Sequence, residues 1–293
     1  MNPYVIFTDS ACDIPADRLA SLGVRFVSLT FRFTDENSLD TGREYAESDI
    51  PSHDFYERMR AGGIAKTSAI NTETFRAAFE EELEAGRDIL YLGFSSGLST
   101  TYNSGRVAVQ ELAEQYPERT VIAIDTLAAS AGFGLIVALA AKKRDEGADI
   151  QVVGDYVRAL IPNTCQWFTV DDLVYLKRGG RISPTVAFVG NILGIKPVLH
   201  VDDEGHLINI TKVRGRRTSI MALAQKYGEL RRSPEENIAY ISHGDCLEDA
   251  TLLKNALEEQ YGARVELVTP VGTVIGAHSG PGTLALFFIG NNR

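Results

Sequence analysis

Short apolar runs alternate along the chain with longer amphipathic stretches, and the two differ in period. In the first half, Tyr4 to Phe7, Val24 to Leu29, Ile89 to Gly93 and Val121 to Ile124 have strand length. Their alternation with helical stretches predicts an α/β fold with a largely parallel, Rossmann-like sheet in this half. Thr72 to Gly86 places Phe75, Phe79 and Leu83 at four-residue steps with glutamates on the other face, the stripe of an amphipathic helix. Ala128 to Glu146 reads as a second helix, alanine-rich and more deeply buried, closed by Gly147.

The second half continues the pattern. Gln166 to Val170, Val198 to Val201, Ile238 to Ser242 and Arg264 to Val268 read as strands, Met221 to Leu230 and Glu248 to Tyr261 as helices. Asp202-Asp203-Glu204-Gly205-His206 reads as a hairpin turn. With 293 residues the chain exceeds one core of usual size. Two α/β domains are expected, 1–155 and 156–293, because the alanine-rich helix has ended by Asp149 and Pro162-Asn163 marks a break.

Composition removes several function classes. A formal charge of -10 argues against nonspecific binding to nucleic acid, which draws on clustered cations. No run approaches the roughly 20 apolar residues of a membrane span. Tyr4-Val5-Ile6-Phe7 passes straight into polar Thr8-Asp9-Ser10 with no basic segment before it, so the expected location is the cytoplasm. Cys12, Cys165 and Cys246 have neither the even count of a disulfide framework nor metal-site spacing, and are expected to be reduced thiols. No metal and no cofactor is expected.

Chemistry concentrates in a few segments. His278 sits in Ile275-Gly276-Ala277-His278-Ser279-Gly280-Pro281-Gly282, read as a glycine-rich turn that brings imidazole and backbone close to a small polar group. The strand Ile89 to Phe94 ends in Ser95-Ser96-Gly97-Leu98-Ser99-Thr100-Thr101, where helix propensity resumes. A helix starting near Ser99 offers free N–H groups to a carboxylate or phosphate, unless Ser99 merely caps it. Lys66-Thr67-Ser68 either adds hydroxyls to the same anion or caps a helix of its own. Serines beside a histidine also raise a Ser/His acyl or ester hydrolase, and Asp9 a phosphatase. Against the hydrolase, there is no G-x-S-x-G elbow and no acid obviously placed to orient His278. Asp9 and Asp13 read better as groups holding loops together. Lys177-Arg178-Gly179-Gly180-Arg181 and Lys212-Val213-Arg214-Gly215-Arg216-Arg217 reverse the sign of an acidic protein locally, as solvated surface or as a docking face for an acidic partner.

Taken together, Thr8-Asp9-Ser10, Thr67-Ser68, Ser95-Ser96-Gly97-Leu98-Ser99, Ile124-Asp125-Thr126, Leu176 to Ile182, Gly194-Ile195-Lys196-Pro197 and Ile275 to Gly282 make a chain that resembles the DegV family of fatty-acid-binding proteins, which includes the lipid-carrying subunit of bacterial fatty acid kinase. The resemblance covers the whole chain. It implies two α/β domains with a long-chain fatty acid in a tunnel between them, and a carboxylate held by Thr67, by one or more of Ser95, Ser96 and Ser99, and by His278 with Ser279. It further implies an ATP-dependent kinase subunit as partner, docked through Arg181 and Arg214, with the chain itself a carrier and not an enzyme. Transient contact with a membrane surface fits the same role. Two departures flank the implied carboxylate site. The family's usual Ser-Gly-Thr-Tyr-Gln is Ser99-Thr100-Thr101-Tyr102-Asn103 here, and Thr67-Ser68 leads to Ala69-Ile70 in place of Gln-Pro. For the tail, Phe31, Phe33, Phe94, Ile192, Leu193 and Phe287 are the expected lining, each with ordinary core as its alternative. A buried methylene contributes about 0.8 kcal/mol, so even a loose tunnel binds a long chain tightly.

Overall fold

A computed structural model describes residues 2–34, 42–182, 194–233 and 238–293. The first half is built on a four-stranded parallel sheet of β1 (Tyr4–Asp9), β2 (Val24–Val27), β6 (Asp88–Gly93) and β7 (Val121–Asp125), in the order β2-β1-β6-β7. Both faces are covered by helices, which is why these strands are continuous apolar runs. Helix α3 (Thr72–Glu84) buries the expected stripe: Phe79 meets Phe7 of β1 edge-on at 4.9 Å, and Phe75 lies 4.9 Å from Tyr91 of β6. Asn71 caps it, accepting from the Thr74 N–H at 2.8 Å.

The second sheet, in the order β10-β9-β8-β13-β11-β12, consists of β8 (Thr164–Thr169), β9 (Ile195–Val201), β10 (Leu207–Arg214), β11 (Ile238–His243), β12 (Arg264–Pro270) and β13 (Leu284–Ile289). Here only β11 and β12 pair in parallel; the other neighbours are antiparallel, with β9 and β10 joined through the Asp202 to His206 turn. Side chains divide by parity between its faces. Cys165, Trp167, Leu284, Leu286 and Phe288 pack with α8 (Arg216–Leu230) and α9 (Leu247–Tyr261), whereas Phe168, Ala285 and Phe287 join the core of the first half.

Helix α5 (Ser130–Asp145) lies between the two sheets and buries residues on every side, as expected for an alanine-rich helix. Helix α6 (Ile150–Leu160) runs unbroken through positions 155 and 156 and packs on α5, β6 and β7, so the chain turns to the second sheet after Leu160.

A third, small sheet of β3 (Thr30–Thr34), β4 (Tyr45–Ala46) and β5 (Ile64–Ser68) was not anticipated. Its Phe31 and Phe33 form a separate cluster with Phe55, Tyr56 and Met59 of α2 (Ser52–Arg60) and Ala277. Ala277 belongs to α10 (Thr273–Ser279), and Tyr56 ties this layer down by donating to the Val271 carbonyl at 2.9 Å. Among the described residues no helix is long and apolar enough to cross a membrane.

Candidate functional site

The first sheet reverses its strand order between β1 and β6, the place where open α/β sheets bind ligands beyond the strand C-termini. Facing that edge is the inner surface of the second sheet, and between them lies a cavity of about 440 Å³. That is within the roughly 300–1,000 Å³ of small-molecule sites. Leu29, Phe94, Leu98, Ala129 and Ser130 line it from the first half, and Gln166, Phe168, Val201, Ala285 and Phe287 from the second. Val271, Val274 and Ile275 of the α10 segment cover it. Most of this wall is hydrocarbon.

One end is polar. Thr67, Ser96, Ser99, His278, Ser279 and Arg181 all reach the wall there, from four segments far apart in sequence. Thr67 stands on β5, where strand pairing with Phe31 sets its side chain, so the helix-cap reading of Lys66-Thr67-Ser68 does not hold. Its Oγ1 lies 2.8 Å from His278 Nε2. His278 occupies the last turn of α10, not a loop; the glycine-rich turn begins one residue after the helix, at Gly280 with φ +81°. A Cβ on Gly179 would stand 2.2 Å from His278 Nδ1, so a bare backbone closes that side of the ring. Burial, reinforced by the Arg181 charge, lowers the His278 pKa to about 4, and the imidazole is neutral at pH 7.

Nδ1 of His278 and Oγ of Ser279 have no hydrogen-bond partner among the described residues. Ser279 is 5% exposed, which makes an unpaired hydroxyl at the cavity wall a group awaiting an acceptor. Arg181 donates to the carbonyls of Leu98 (3.1 Å) and Gly179 (2.5 Å), and burial lowers its pKa. Its positive charge is thereby held at the polar end. Ser99 Oγ accepts from the Thr101 N–H at 3.2 Å and pairs with Thr101 Oγ1 at 2.9 Å, so it holds the first N–H of α4 (Thr101–Gln115), whose N-cap is Thr100, and also lines the cavity. Ser96 is exposed at the mouth, together with Thr100 and Ala69, the two departures from the usual family sequence; Ile70 is buried in the core.

Other expectations are redirected by the geometry. Ser95 is fully buried off the cavity wall, and its Oγ donates to the Gly205 carbonyl at 2.9 Å, fastening the β9–β10 turn to the end of β6. Arg214 is exposed at the end of the edge strand β10. Phe31 and Phe33 belong to the small sheet's core and do not line the cavity, while Phe94 and Phe287 do; Ile192 and Leu193 lie outside the described residues. Asp9 is a structural acceptor for the N–H groups of Ala11 (3.2 Å) and Phe94 (3.0 Å) and for the Tyr91 hydroxyl (3.2 Å), with its carboxyl pushed up to about 7 by burial.

A polar patch on the wall escaped the sequence reading. Ser130 Oγ lies 2.9 Å from Ser242 Oγ and also donates to Asp13, whose carboxyl is raised by burial and by the adjacent Glu47. Gln166 is fully buried, accepting from the Ala129 N–H (3.0 Å) and donating to the Leu127 carbonyl (3.2 Å). Asp13 and Ser130 both adopt positive φ, 50° and 53°. Backbone strain at non-glycine residues, each bonded to the other, is the signal that marks this patch, and sequence does not display it.

Comparison with known proteins identifies the family and the fold. The family model described as "Uncharacterised protein, DegV family" matches residues 3–291. A DegV domain-containing protein of Clostridium perfringens is 40% identical over 293 residues, covering 100% of this chain and 99% of the relative. A protein of Thermotoga maritima named fatty acid-binding protein is 33% identical over 285 residues, covering 95% of each. The solved structure of a DegV family protein from Thermus thermophilus, described by its fatty acid binding, superposes with a TM-score of 0.84 at 31% identity, covering 99% of this chain and 100% of that one. The chain belongs to the DegV family.

Proposed function

We propose that the protein binds a long-chain fatty acid in the cavity between its two sheets, with the carboxylate at the polar end. The observation that carries this reading is a mostly hydrocarbon wall, broken by the Ser130, Ser242 and Gln166 patch, that meets an end where Thr67, Ser279 and Arg181 supply hydroxyls and a positive charge around a neutral imidazole. A carboxylate satisfies these donors, and the acyl chain fills the apolar remainder. His278 acts through Thr67: with Nε2–H donating to Oγ1, the threonine hydrogen is free for the ligand. The fatty-acid binding attributed to the Thermotoga and Thermus relatives supports the same assignment.

The chain serves as a carrier that offers the carboxylate to an ATP-dependent kinase subunit, which forms the acyl phosphate. Exposed Ser96, Thr100 and Ala69 leave the polar end within reach of such a partner. Arg214, in the open on β10, is the docking position, and Arg181 works from the cavity wall. A hydrolase gains no support from the geometry: the hydroxyl on His278 belongs to Thr67, and no described carboxylate orients Nδ1. The phosphatase reading loses its nucleophile, since Asp9 is 0% exposed. Three unpaired thiols fit a reducing compartment, the cytoplasm.

Native mass spectrometry of freshly purified protein, followed by solvent extraction, tests the proposal. A stoichiometric long-chain acid is expected. An apo mass that stays unchanged after incubation with several fatty acids overturns the binding assignment, and turnover of acyl esters by the purified chain overturns the carrier role.

A further inference from the structure

Strand β13 leads away from the polar end, and two of its residues, Ala285 and Phe287, line the cavity. Thr283 lies by the polar end, its hydroxyl donating to the Gly280 carbonyl at 2.8 Å, just past α10. Thr283 directly precedes β13, and Phe287 is four residues further along the chain, about 13 Å away at the usual rise per residue of a strand. It stands opposite Gln166 on β8, and both line the cavity. The Phe287 ring is therefore a wall on the side remote from His278.

Behind that ring is Gly132, in the first turn of α5. A Cβ at this position would stand 2.4 Å from Phe287 Cδ1, 3.0 Å from Cε1 and 3.2 Å from Gln166 Cγ. The first distance is about 1 Å short of ordinary contact, so any side chain here requires something to move. The helix has no room to retreat. Two residues on, Gly134 is pressed against the other half of the molecule, where a Cβ would stand 2.5 Å from the Cys12 carbonyl oxygen and 2.7 Å from Ile14 Cγ1. With α5 wedged from both sides, the ring is the part that yields, and the space beside it is the cavity.

We propose that Gly132 is a positioning residue for chain-length selection. Its missing side chain lets the Phe287 ring seat against α5, and the seated ring sets the depth of the cavity and hence the longest acyl chain accepted. This inference rests on the fatty-acid reading above. It concerns a residue that touches no ligand, and it predicts a change in which acids bind, beyond a general loss of affinity.

The test is a dissociation constant for each member of a series of saturated acids of increasing length, measured on the wild type, Gly132→Ala, Phe287→Leu and the double variant. Gly132→Ala is expected to keep the shorter acids and to lose about fourfold in affinity for each methylene that no longer fits. Phe287→Leu moves the limit towards longer acids, and the double variant returns it towards the wild type. A uniform loss at every length in Gly132→Ala overturns the proposal, as does an unchanged limit in Phe287→Leu, which decides the matter alone if Gly132→Ala does not fold. A wild type that binds no member of the series fails the fatty-acid reading first, and the inference falls with it.

Discussion

Replacing Thr67 by Val removes one hydroxyl and keeps the branched shape on β5, so its effect isolates a single hydrogen bond. In the free protein Thr67 Oγ1 is 2.8 Å from His278 Nε2, and the imidazole is neutral with its pKa lowered to about 4. In the tautomer that carries its hydrogen on Nε2, the imidazole donates to Oγ1 and leaves the hydroxyl hydrogen for the carboxylate of the proposed ligand. A hydrogen bond to a charged group contributes about 1.5–3 kcal/mol, and its loss weakens binding of the free acid by about ten- to 150-fold. The methyl ester of the same acid has no charge to hold, so the bond it loses is worth only about 0.5–1.5 kcal/mol. Calorimetric titration of acid and ester into wild type and Thr67→Val completes a cycle whose coupling is expected near 1–2 kcal/mol. Thr67→Ser keeps the hydroxyl and most of the affinity. Equal losses for acid and ester would refute the placement of the carboxylate at Thr67, and no loss for either would refute it more directly.

Three further outcomes follow from the same structure. His278 has an ordinary pKa of 6.5 and one near 4 when folded, so the unfolded chain takes up its proton first; stability from this group is complete above about pH 6.5 and declines by up to about 3 kcal/mol as pH falls to 4. Thermal melts across that window should flatten in His278→Gln. Glu47 moves the other way: burial raises its carboxyl from 4.5 to about 7, so its protonated form favours the folded state below pH 4.5 and that advantage is lost as pH rises through 7. Glu47→Gln should therefore raise the melting temperature at pH 8 more than at pH 5, and a gain independent of pH would contradict this. Gly280 has φ +81° and ψ 170°, and a Cβ there would stand 2.3 Å from Tyr175 Cδ2. Gly280→Ala should cost about 1–3 kcal/mol in urea unfolding and weaken ligand binding, because it pries α10 from α7 (Val174–Arg178).

How much of this the sequence revealed depends on whether a feature is periodic. The parallel strands and the Phe75, Phe79, Leu83 stripe were legible because one buried face imposes a fixed spacing. Strand β13 was not, since Leu284 to Phe288 is apolar towards both the helices and the cavity and shows no alternation. The small sheet was missed because β4 has two residues and β3 follows β2 after only two. Thr67, Ser96, Ser99 and His278 line one cavity although they lie far apart in sequence, and only their side-chain chemistry hinted at a common place. Ser95 differs from Ser96 by one position, which turns it from the cavity to the Gly205 carbonyl, and composition carries no information on that choice. Likewise nothing in the sequence pairs Asp13 with Ser130, or seats Phe287 on Gly132; both depend on how the two sheets close on α5.

A cavity walled by both sheets makes its occupant a removable piece of the protein's interior. In the proposed complex the two halves would touch the ligand from opposite sides, and the unfolded chain has no counterpart of that site. Occupancy therefore acts as a reversible splint: at a free ligand concentration one hundred times the dissociation constant it adds about 2.7 kcal/mol to the apparent stability. Emptying the site withdraws the same amount. Resistance to heat and to proteases should consequently rise and fall with lipid supply, so that the persistence of the protein itself reports whether it has been loaded.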